Sequence, residues 1–197
     1  MPLGAFKAAL MGTAGVSTAG DWDLISNTDH SGVNQVIITS GFLSAYSEII
    51  FGFYNINPAT DDTDFTFQAS IDGGSNYNIT MNSSYQNVHQ PEADSGHIQV
   101  TYQTGFDQVG AAFQVLFDSA ANDADGSMVG KLHLYSPKST TYVKHFRSYM
   151  VGMNSNSAAQ GVYVGGYFND ADDDINAIQF KMDSGAFDGT VKMWGVK

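Results

Sequence analysis
Ile175-Asn-Ala-Ile-Gln-Phe-Lys-Met-Asp-Ser-Gly-Ala-Phe-Asp-Gly-Thr-Val-Lys-Met-Trp-Gly-Val-Lys197 reads as two successive strands. Ile178, Phe180 and Met182 alternate with Gln179, Lys181 and Asp183, the period-two pattern of a strand with one buried face. Ser184-Gly185 interrupts it. Beyond Gly189, Val191 and Met193 alternate with Lys192 and Trp194 as a second strand. So short a loop predicts an antiparallel pair, with Phe187 tucked beneath the connection as a plug.

The same periodicity extends upstream. Val36-Ile37-Ile38 opens a first strand, and Ile49-Ile50-Phe51-Gly52-Phe53-Tyr54 is too apolar for an exposed edge, so it predicts a central strand ended by Asn57-Pro58. Phe65, Phe67, Ala69 and Ile71 alternate with polar neighbours, and Asp72-Gly73-Gly74-Ser75-Asn76 predicts a tight reversal into Tyr77–Met81 as a hairpin. Residues 82–97 are polar, contain Pro91 and show no period, so they are expected to form a long loop. Alternation restarts at Ile98, Val100 and Tyr102, and continues through Ala111–Phe117, Met128–Leu134, Tyr142–Met150 and Gly161–Phe168. Only part of Gln108–Ala121 has spacing compatible with a helix. The expected fold is an all-β antiparallel sandwich of eight or so strands over residues 31–197, preceded by an N-terminal arm and lead-in over residues 1–30.

The run Phe180-x-x-x-Ser184-Gly185-x-Phe187-x-Gly189-x-Val191-Lys192-Met193-Trp194-Gly195-Val196 resembles the C-terminal hairpin of a jelly-roll module found in virion proteins of tailed bacteriophages. Trp194 stands where that family more often has a tyrosine, and Asp72-Gly73-Gly74 is a second point of likeness. The resemblance implies a jelly-roll fold and a virion setting. It implies no reaction, because nothing in the motif is catalytic.

Composition narrows the function classes. The 197 residues suit one domain; 43% are hydrophobic and 21 are glycine, which fits a β-rich globular chain with many turns. Lys+Arg 8 against Asp+Glu 20 gives a net charge of -12, which repels phosphate backbones and anionic membrane surfaces. The few basic residues form no run that tracks nucleic acid. No cysteine is present, which removes disulfides, thiolate zinc sites and cysteine nucleophiles. No apolar run reaches the roughly 18 residues that span a bilayer as a helix. The glycine-rich opening Met1–Gly15 reads as an arm that orders against a neighbouring subunit, with Phe6 and Leu10 as its contacts, rather than as a signal peptide. Trp22 is expected to anchor that arm, and Trp194 to be buried or at a subunit contact.

Candidate chemistry is sparse. Asp170, Asp172 and Asp174 alternate in an acidic turn and are candidate calcium ligands. The helix-loop-helix calcium pattern fails, since Ile175 and Lys181 stand where it needs glycine and glutamate, so a solvated turn is the plainer reading. His133 and His145 fall in strands, with outward or hydrogen-bonded roles. No G-x-S-x-G elbow occurs, and Glu48 and Glu92 lack a supporting motif for glycosidase work. Tyr77, Tyr85, Tyr102, Tyr163, Tyr167, Trp22 and Trp194 are candidate sugar-stacking rings, though aromatics in strands more often serve core or cross-strand packing. The expectation is a non-enzymatic structural protein on a tailed-phage virion surface, as a capsid decoration, head fibre or tail-associated subunit. Its partners would be other virion proteins and copies of itself, with neither nucleic acid nor membrane. The alternative is a glycan-recognition module, such as a receptor-binding tail-fibre tip, with host-surface glycan as partner.

Overall fold
A computed structural model describes residues 21–93, 98–170 and 172–197. The described chain is all-β and wholly antiparallel, with no helix among the described residues. Its strands are β1 (Trp22–Val33), β2 (Val36–Ile38), β3 (Glu48–Pro58), β4 (Thr63–Ser70), β5 (Met81–Pro91), β6 (Ile98–Tyr102), β7 (Val109–Gly110), β8 (Gln114–Ala120), β9 (Met128–Tyr135), β10 (Lys144–Asn154), β11 (Ala158–Phe168), β12 (Ala177–Met182) and β13 (Phe187–Val196). They form a nearly closed, barrel-like sheet. One arm runs β1-β13-β3-β9-β10 and continues through β11 and β5 to β6 and β7; the other runs β8-β4-β12-β2. The arms join through a single pair, Asn154↔Ala120.

The inner faces meet over an aromatic core centred on Phe180 of β12. Its ring lies 5.3 Å from Phe51, 5.0 Å from Phe53 and 6.2 Å from Phe65, all fully buried. Phe67 of the short arm meets Phe146 at 5.1 Å and Phe168 at 6.0 Å on the long arm. Edge-to-face rings at such spacings add to the gain from apolar burial.

The alternating patterns locate most of the strands, but Tyr77–Thr80 is not a strand, and several expected pairings differ. β12 and β13 do not pair: β12 lies between β4 and β2, and β13 between β1 and β3. The loop at Ser184-Gly185 therefore crosses from one arm to the other, and Phe187 is buried against Phe65 at 5.8 Å as the crossing closes. The turn at Asp72 forms, with Gly73 and Gly74 at φ 72° and 91°, but no hairpin follows, because β4 pairs with β8 and β12. Residues 81–91 are strand β5 rather than loop. Its inward side is polar: Tyr85 hydroxyl donates to Asp118, and Ser83 hydroxyl to Gln114. Gln160 donates to Asp118 at 2.6 Å and Asn154 to Gln160 at 2.9 Å, so the buried groups satisfy one another without an apolar period. Gln108–Ala121 holds β7 and β8, not a helix.

The expected lead-in also differs from residue 22 onward. β1 pairs along β13 from Trp22↔Val196 to Val33↔Phe187, so the sheet begins before residue 31. Phe6 and Leu10, and the arm they belong to, lie outside the described residues. At the same end of the molecule Lys197 amide donates to Asp21 carbonyl at 3.0 Å, and its ammonium lies 2.7 Å from Asp23. Gly195, the last glycine of the terminal motif, admits the Tyr46 ring: a Cβ there would fall 2.5 Å from it.

Candidate functional site
The long arm's outward side chains fall into rows fixed by strand register. Lys192, Gly52, Lys131, Tyr149, Tyr163 and Gln86 are successive cross-strand partners on β13, β3, β9, β10, β11 and β5. In the neighbouring row stand Trp194, Ile50, His133, Arg147, Gly165 and Ser84. Two-residue periodicity on adjacent strands thus sets aromatic and basic groups side by side.

Across these rows runs a groove of about 410 Å³, bounded by Tyr54, Val129, Lys131, Arg147, Tyr149 and Tyr163. A second hollow of about 200 Å³, bounded by Gln86, Val88, Val100 and Gly161, shares Tyr149 and Tyr163 as its wall. The two tyrosines are cross-strand partners, 57% and 45% exposed, and form a ridge between the hollows. Small residues keep the face open. A Cβ at Gly52 would strike the Trp194 ring at 2.6 Å, and one at Gly161 would touch the Tyr149 hydroxyl at 3.6 Å.

Charge lining the groove opposes that of the chain as a whole. Neither hollow is bounded by an aspartate or glutamate, while Lys131, His133 and Arg147 border the larger one. Arg147 Nε donates to the Tyr135 hydroxyl at 2.6 Å, which fixes the guanidinium's position at the groove's border. His133 is held at 2.5 Å from Glu48 and stacks on Tyr135 with ring centres 6.3 Å apart. Lys192 lies 4.8 Å over Tyr54, and Lys131 5.9 Å from the Trp22 ring. Among the described residues, neither Lys131 nor Arg147 belongs to an ion pair. Beyond the second hollow, the Tyr102 hydroxyl donates to Asp107; that bond is the main reason its pKa is raised.

The other sequence candidates are placed differently. Asp170, Asp172 and Asp174 do not converge: among the described residues no group of three His, Asp or Glu side chains is arranged to hold a metal. The turn is instead organised by lysines. Buried Lys144 donates to the Asp170 carbonyl at 2.6 Å and to the Asp173 carbonyl, and Asp174 pairs with Lys138. Burial pushes the Lys144 ammonium's pKa down, against the pull of the surrounding aspartates. Trp22 is 52% exposed on β1, and Trp194 is half-buried over Gly52. Tyr85 is buried in the polar network, whereas Tyr102 and Tyr163 are exposed. Tyr54 and Tyr149 are the site residues that periodicity alone did not single out. The signal for Tyr149 is present in its parity with Arg147, opposite the core residues Phe146 and Met150.

Open aromatic rings beside unpaired donors suit a ligand with one apolar face and many oxygens. No helix among the described residues is long and apolar enough to cross a membrane. Neither a protein-family model nor a curated protein matches the chain.

Proposed function
We propose that this chain is a non-enzymatic structural subunit on the surface of a tailed-phage virion, a jelly roll that assembles through its N-terminal arm, and that its outer face recognises glycan. The terminal motif supports the virion setting by its likeness to phage jelly-roll modules. The glycan role rests on one observation, the groove divided by the Tyr149–Tyr163 ridge. Exposed aromatic and aliphatic side chains gathered on one sheet face mark an interaction surface.

Two measurements test the two halves. Quantitative mass spectrometry of purified particles should find the protein, and a chain lacking residues 1–20 should remain folded but fail to incorporate; complete absence from particles refutes the virion role. Binding of the intact chain to a glycan array should be lost in Y149A and Y163A, each with an unchanged melting transition. Wild-type binding retained by both variants removes the groove from recognition.

A further inference from the structure
The groove's bordering groups bear on which sugars it takes. Twenty acidic residues against eight basic ones give the chain a net charge of -12, so a groove bordered by cations and by no carboxylate runs against the whole. Two stand together here. Lys131 and Arg147 occupy adjacent strands, β9 and β10, on the same wall, and no carboxylate borders either hollow. Tyr135 accepts from Arg147 Nε, and among the described residues no carboxylate pairs with the guanidinium. A guanidinium edge presents two parallel donors that match the two oxygens of a carboxylate, and an ammonium beside it adds a point charge.

We propose that the groove binds an acidic glycan, a sugar chain bearing carboxylate groups, with Tyr149 and Tyr163 stacking on ring faces while Arg147 and Lys131 hold a carboxylate. This rests on the glycan reading above and narrows it to one substrate class. Local positive charge within an acidic protein also disfavours general attraction of polyanions, because the rest of the surface repels them. Selectivity therefore depends on rings and cations acting on the same residue of ligand.

The test is an array of uronate-bearing oligosaccharides, the same oligosaccharides with their carboxyl groups reduced to alcohols, neutral oligosaccharides and polyglutamate, probed with the full chain. Uronate members should bind at least about tenfold more tightly than their reduced forms, a difference near 1.4 kcal/mol. R147Q and K131Q should each erase most of that preference while keeping residual sugar binding; Y149A should abolish both. Equal binding of uronates and their reduced forms overturns the acidic specificity and leaves glycan recognition standing. Equal binding of polyglutamate and uronates overturns it too, since charge alone would then suffice. No binding to any member overturns both readings.

Discussion

Asp64, on β4, shows what a single carboxyl costs at the edge of this core. Burial is the main cause that pushes its pKa up, to about 6 from 3.8; the Ser119 amide, donating at 2.9 Å, works against it, and the charges of Asp183, Asp118 and Asp62 add to the rise. The folded protein therefore holds a proton that the unfolded chain has lost between about pH 4 and pH 6. The stability this adds is complete below pH 4 and is lost as pH rises through 6. Asp64→Asn keeps an oxygen for the Ser119 amide and removes the charge. It should stabilise the protein at pH 7 by about 1 kcal/mol, less than the whole shift implies because the group is partly solvated, and should change nothing near pH 3. Urea unfolding at the two pH values checks this; equal effects at both would show that the charge is not the cause. Residues of this kind are illegible in sequence, since most of the neighbours of Asp64, namely Ser119, Asp118 and Asp183, come from distant parts of the chain. Tyr149 is the opposite case: its outward direction follows from the parity of β10, but its partners Lys131 and Tyr163 follow only from register.

At the scale of elements, alternation marked where most strands lie and said little about which strand each one joins. β12 and β13 illustrate the gap. Both carry clean period-two patterns, and nothing local distinguishes a hairpin from a crossing, which is decided by Phe180 and Phe187 seeking the same aromatic core from opposite arms. β5 differs for another reason: beyond Met81 its buried side is made of Tyr85, Asn87 and hydrogen-bonded neighbours, so burial left no apolar alternation. β1 differs because its outward and inward residues are both largely exposed, as suits a strand at the sheet's edge. A chain beginning at residue 21 should fold like the intact protein. One beginning at residue 34 uncovers the whole hydrogen-bonding edge of β13 and should melt at a lower temperature and associate, as read by calorimetry and light scattering. An unaltered, monomeric transition for the shorter chain would show that β1 only decorates the sheet.

For the whole molecule, the division of labour between the faces is plain. The inner faces carry the aromatic core, and the outer face of the long arm carries exposed rings and the cations Lys131 and Arg147 in a chain that is otherwise strongly acidic. A rigid sheet is suited to hold rings in fixed register, since each side chain is placed by hydrogen bonds on both sides rather than by a loop. The meeting of Lys197 with Asp21 has a topological consequence. The described chain is nearly a closed ring, interrupted beside β1 and β13, and so it lends itself to circular permutation. Joining residue 197 to residue 21 through a short glycine-serine linker and opening the chain between the exposed Thr140 and Thr141 leaves every strand pairing intact. Such a permutant should refold with a melting temperature within a few degrees of the parent, and its new ends would emerge from the loop between β9 and β10, at the end of the sheet where Tyr135, Glu48 and Val196 stand in one row.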